Sequence, residues 1–183
     1  MLLDDQMILN AADRMADHIL SQFARLRVRI KDSGVMDGMP SCSIMKPMLL
    51  LYRLTGKEKY YQFCLDIAKE WERADNERPN LIANALSGVA PAKWYDPKEG
   101  WISKAYEMTS CFEGLLEYYY ETGIEKYRTA VVNYAHAVLD TETSVIGSCG
   151  VTHELFDHTA VRQTQTDYEG IVQETCVTVT WMK

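Results

Sequence analysis

The sequence predicts an all-α protein built from repeated helical hairpins, and three observations carry that prediction. Over residues 7–29, Ala11, Ala12, Met15, Ala16, Ile19, Leu20, Phe23 and Leu26 recur at the three-and-four spacing of an amphipathic helix. A helix-turn-helix pattern then occurs twice at a distance of 67 residues, so that Tyr52 falls on Tyr119. A third copy opens at the end of the chain, where Glu174-Thr175-Cys176-Val177 follows Thr109-Ser110-Cys111-Phe112 by 65 residues.

In chain order, the helix over 7–29 is followed by turn signals at Asp32-Ser33-Gly34 and Asp37-Gly38-Met39-Pro40. Residues 41–54 read as a helix that stops at Thr55-Gly56, because glycine can take the left-handed position that closes a helix. Residues 58–73 are amphipathic again, with Tyr60, Phe63, Cys64, Ile67, Ala68 and Trp71 on one face, which makes 41–73 a helical hairpin. In the second hairpin, 108–140, Thr122, Gly123, Glu125, Lys126 and Tyr127 repeat Thr55, Gly56, Glu58, Lys59 and Tyr60. The third hairpin is expected to begin at about 174. Propensity alone would make Val177-Thr178-Val179-Thr180-Trp181 a strand, since β-branched and aromatic residues suit a pleated surface. The repeat overrides it and predicts a helix that still contains Lys183, its Thr-Gly turn and return helix lying beyond the sequence. Two loops, 74–102 and 141–170, separate the hairpins and are the expected carriers of function. Stacked hairpins of this length curve into an α/α toroid, here of the six-hairpin barrel type with about half of the ring present.

Bulk properties exclude several classes. With 19 basic and 26 acidic residues the net charge is −7, whereas a nucleic-acid partner calls for a basic patch that neutralises phosphates. No apolar run approaches the roughly 18–20 residues that span a bilayer, and the opening Met1-Leu2-Leu3-Asp4-Asp5 places acids where a signal peptide carries bases. A cytoplasmic location is expected. Five cysteines, an odd number scattered through helical patterns, do not suggest a disulfide framework.

The segment with most chemistry is Gly147-Ser148-Cys149-Gly150-Val151-Thr152-His153-Glu154, followed by Glu174-Thr175-Cys176 at a helix start. It resembles glycoside hydrolase family 127, the β-L-arabinofuranosidase group. Pro40-Ser41-Cys42-Ser43-Ile44, Leu51-Tyr52-Arg53-Leu54-Thr55-Gly56 and Ala105-Tyr106-Glu107-Met108 share the likeness, which therefore covers most of the chain. The resemblance implies an α/α toroid whose pocket holds zinc, a glutamate acid/base and a metal-bound cysteine nucleophile that forms a glycosyl-thioether. It places the acid/base at Glu154 and two zinc ligands at Glu174 and Cys176. The nucleophile and the fourth ligand would be a cysteine pair downstream, which these residues do not include.

Each residue also has a plainer reading. Cys176 can be a buried core thiol, Glu154 a solvated loop acid or a cap, and Glu174 an acid welcomed by a helix dipole. His18, His136, His153 and His158 read as surface or helix-face residues, and Trp94, Tyr95 and Trp101 as packing aromatics or a sugar-stacking platform. The resemblance implies a carbohydrate substrate, zinc in the complete enzyme and weak or no zinc in these residues alone, with little or no activity. The rival is a non-catalytic helical-repeat module that binds a protein or glycan on its concave face. Self-association through exposed apolar hairpin faces is a further expectation.

Overall fold

The computed structural model describes residues 5–73, 78–95, 103–150, 154–158 and 174–183. Among them the fold is all-α: α1 (Gln6–Leu26), α2 (Met39–Cys42), α3 (Met45–Thr55), α4 (Glu58–Glu70), α5 (Leu81–Leu86), α6 (Ala105–Thr122), α7 (Glu125–Thr141) and α8 (Thr175–Trp181). No described helix is long and apolar enough to cross a membrane.

Asp5 starts α1 by accepting from the Met7 and Ile8 amides at 2.8 and 3.4 Å, which satisfies donors that have no partner within the helix. The helix ends at Leu26 rather than at 29, because Arg27 turns left-handed and its N–H closes on Phe23 O at 2.9 Å. The expected helix over 41–54 is split into α2 and α3. Pro47, third residue of α3, has no N–H to donate to Ser43 O, so the ladder cannot run through and Ser43 and Ile44 form the joint.

The two hairpins share one turn, atom for atom. Gly56 N–H bonds Tyr52 O at 2.7 Å, Thr55 Oγ1 bonds Leu51 O at 2.7 Å, and Lys57 N–H bonds Thr55 Oγ1 at 3.3 Å. Gly123, Thr122 and Ile124 make the same bonds to Tyr119 O, Tyr118 O and Thr122 Oγ1 at 2.8, 2.9 and 3.3 Å. The threonine back-bonds the last turn and then takes the first free N–H beyond it, so the returning helix starts at a fixed angle.

The hairpins stack through their first helices: α3 packs on α6, and α6 on α8. Contact at α3/α6 is close enough that a Cβ on Gly114 would lie 2.8 Å from Met45 Cβ. Lys46–Glu113 and Arg53–Glu117/Glu121 ion pairs line the half-exposed edge of this crossing, where each adds at most ~1 kcal/mol. The core lies between the stacked first helices and α4 and α7, around the fully buried Trp71, Tyr60, Tyr118, Met45 and Leu49.

The loop expected over 74–102 contains α5, whose buried Leu81, Ile82 and Ala85 sit against α7; six residues are too few to display a helical period. Residues 175–181 are helical, with Val177 and Thr180 buried against α6. The helix closes at Trp181, so Lys183 stands outside it.

Candidate active site

The site is assembled around the N-terminus of α6. An antiparallel bridge pairs Lys104 with Leu155, with Ala105 N–H on Glu154 O at 2.7 Å and Phe156 N–H on Ser103 O at 2.9 Å. Phe156 is buried edge-on to Tyr134, with ring centroids 6.2 Å apart. Beyond it, Glu142 at the end of α7 is fully buried, and its Oε2 accepts the Asp157 and His158 amides, each at 2.9 Å. One strand bond pair and one buried carboxylate thus fix the segment that carries Glu154.

Glu154 has φ +60. Its side chain meets two partners, Lys104 Nζ at 3.1 Å from Oε2 and Cys176 Sγ, which donates to Oε1 at 2.9 Å. The Cys176 hydrogen bond first, then Lys104, hold its carboxyl below the usual glutamate range, so in this arrangement the group is ionised. Cys176 is the second residue of α8; burial first, then the bond to Glu154, push its thiol up.

Glu174 caps α8, with its N–H on Gly150 O at 3.3 Å and its carbonyl receiving Thr178 N–H at 3.2 Å. Gly150 (φ +77) brings the glycine-rich loop so close to α8 that a Cβ there would lie 2.9 Å from both Val177 methyls. Val151, Thr152 and His153 of the motif, like Trp101, lie outside the described residues.

The structure therefore brings two of the three predicted residues, Glu154 and Cys176, into direct contact and sets Glu174 two positions from Cys176 on the same helix start. It adds Lys104 and Glu107, which the motif reading missed. Glu107 Oε2 is buried without a hydrogen-bond partner, and burial pushes its carboxyl up. Glu107 was visible only inside Ala105-Tyr106-Glu107-Met108, where nothing in the sequence separated it from any other first-turn acid.

Trp94 packs against Phe112 and Tyr134 and gives its indole N–H to Val89 O at 2.7 Å, and Tyr95 is buried; both have a packing role. Carboxylates and a thiol are donors that zinc accepts, but among the described residues no three His, Cys, Asp or Glu side chains converge as a metal group. The donor chemistry fits zinc and the donor number does not.

This arrangement sits on a chain whose residues 2–183 match the family model described as Beta-L-arabinofuranosidase, GH127 catalytic domain. The chain belongs to that family. Comparison with curated proteins and with solved structures gives no match. Membership makes this GH127 chain part of a glycoside hydrolase group, with carbohydrate as its substrate class.

Thiol chemistry checks the burial pattern. Cys42, Cys64, Cys111 and Cys149 are fully buried, and burial raises the Cys42, Cys64 and Cys149 thiols to about 12. Cys176 alone is partly exposed. A small maleimide should label one cysteine in the native chain, at a rate slowed by the raised Cys176 thiol, and the remaining four only in denaturant, as read by intact mass and peptide mapping. Rapid labelling of a second position would contradict the packing described.

Proposed function

We propose that the chain carries part of the active site of a retaining glycosidase acting on β-L-arabinofuranosides or related plant-derived glycans. In this reading Glu154 is the acid/base, Glu174 and Cys176 are two ligands of a zinc ion in the complete enzyme, and the hairpins form part of an α/α toroid. The observation that supports it is the 2.9 Å contact between Cys176 and Glu154, residues 22 positions apart on different elements. A scaffold module has no use for a carboxylate aimed at a half-buried thiol.

Glu154 would hand a proton to the departing glycosidic oxygen and later take one from water, each time shuttling it through the oxygen that now faces Cys176. Lys104 holds the other carboxylate oxygen and so sets which one is presented. Zinc, when bound, would supply the positive charge that keeps thiolate ligands deprotonated. Two such donors hold the metal poorly, so the 183 residues alone are read as binding zinc weakly and as inactive or nearly so.

Metal analysis and hydrolysis of an aryl β-L-arabinofuranoside test this in four proteins: the 183-residue chain and the chain continued through the family's cysteine pair, each with and without Cys176→Ser. The expected result is substoichiometric zinc and negligible turnover in the short form, and near-stoichiometric zinc with turnover in the long form. Cys176→Ser in the long form should weaken zinc by more than the roughly 10–100-fold typical of outer-shell changes. Stoichiometric zinc in the short form that survives Cys176→Ser would sink the ligand assignment. A folded long form with neither zinc nor activity would sink the reading as a whole.

A further inference from the structure

The interval of 67 residues that relates the two hairpins also relates two charges at their entrances. Lys104, which holds Glu154, is the N-cap of α6, and Asp37, 67 residues earlier, stands one residue before the N-cap of α2. The two helices touch, Cys111 Sγ on α6 reaching Met39 O on α2 at 3.5 Å. Both charges therefore open on the same end of neighbouring helices, and helices in such contact lie about 8–10 Å apart.

Met36 and Asp37 have φ of +55 and +51, left-handed values that side chains seldom adopt. Gly38 locks the turn, because a Cβ there would overlap the Lys31 backbone. So held, Asp37 places Oδ2 3.6 Å from Arg78 Nε, with the two side chains 30% and 39% exposed. The Arg78 guanidinium lies over the Tyr95 ring, 5.9 Å from its centroid. Tyr95 and Asn80, the one next to Arg78 in space and the other two residues from it in the chain, are only 5% and 7% exposed. Asn80 Nδ2 donates to Arg73 O at 3.2 Å, but Asn80 Oδ1 and the Tyr95 hydroxyl have no hydrogen-bond partner among the described residues. A buried tyrosine hydroxyl is ordinarily bonded. Burial first, then Asp37 and Cys111, push this one up, while Arg78 opposes them, so the group lies between the ion pair and α6.

We propose that Asp37 and Arg78 form a second sugar subsite, which takes the vicinal hydroxyls of the residue next to the one whose glycosidic bond is cut. This subsite rests on the glycosidase reading and extends it from Glu154 along the glycan. A carboxylate only accepts hydrogen bonds and a guanidinium only donates them, so the pair can bond two adjacent hydroxyls at once, one as donor and one as acceptor. With Asp37 beside it, the guanidinium repels no neutral sugar and is a poor seat for an anion. The Tyr95 ring holds the guanidinium plane and the left-handed turn holds the carboxylate, so both groups are ordered before the sugar arrives, which lowers the entropic cost of binding.

Ligand-observed NMR titrations of the 183-residue chain compare methyl β-L-arabinofuranoside with the methyl glycoside of a β-L-arabinofuranosyl disaccharide. The disaccharide should bind more tightly by roughly fivefold, the worth of one net hydrogen bond. Asp37→Asn keeps a residue that tolerates the left-handed turn, and Arg78→Lys keeps the charge without the planar fork. Each should abolish the disaccharide preference and leave the monosaccharide affinity unchanged, with circular dichroism verifying that the variants are folded. Equal binding of the two sugars by the wild type, or a preference that survives both substitutions, would overturn the subsite. Substitutions that weaken both sugars alike would show a structural role and overturn it as well. Binding of neither sugar would also overturn it, while zinc content and turnover of the long form decide the glycosidase reading separately.

Discussion

Gly150→Ala should destabilise the chain by about 2–4 kcal/mol, combining the cost of a left-handed φ with the overlap of a methyl group on a stiff neighbour. A Cβ at Gly150, where φ is +77, meets both Val177 methyls at 2.9 Å. A β-branched side chain has no easy rotamer by which to retreat, so α8 itself must shift and carry Cys176 away from Glu154. Gly147 in the same loop has φ +83 and nothing within 4 Å of a Cβ, so Gly147→Ala should cost only about 1 kcal/mol. Urea unfolding of the pair separates the steric part from the conformational part. Equal losses in the two variants would show that the Gly150–Val177 approach does not matter.

Removing the Glu142 carboxylate has the second large effect. Glu142→Ala leaves the part-buried Asp157 and His158 amides without this acceptor, at a cost of about 2–4 kcal/mol. Glu142→Gln keeps an acceptor oxygen and should lose about 1–2 kcal/mol, the difference between a charged and a neutral hydrogen bond. Amide hydrogen exchange at 157 and 158 should accelerate strongly in the alanine variant and modestly in the glutamine one. Unchanged protection in Glu142→Ala would mean that other bonds hold the segment.

The fold was readable where period and turn chemistry agreed. Helix α1, both Thr-Gly turns and the stripes that follow them were written in residue spacing, and the repeat rightly overruled the strand propensity of Val177 to Trp181. Breaks were harder. Pro47 interrupts a backbone ladder without interrupting the apolar pattern, so α2 and α3 look continuous in sequence, and the short α5 has no room to show a period.

For the site, the motif singled out Glu154, Glu174 and Cys176, yet what holds them was invisible. Lys104 and Glu142 lie 50 and 12 positions from Glu154 and act through an ion pair and side-chain acceptance of backbone amides across the fold, which leave no pattern along the chain. Glu107 gains its distinction only from a carboxyl oxygen that is buried without a hydrogen-bond partner.

The Glu154–Cys176 contact joins two parts held with unequal tenacity. Glu154 is tied by the bridge at Lys104, the bond to Ala105 and the buried acceptor Glu142, all rooted in long helices. Cys176 rides on a seven-residue helix anchored by Val177 and Thr180. Local opening follows the least buried element, so the free energy needed to part this pair is that of lifting α8 and falls below that of unfolding the chain. The carboxylate keeps its position through that excursion while the thiol departs and returns, and the lifetime of the pair is set by a short helix, not by the core beneath it.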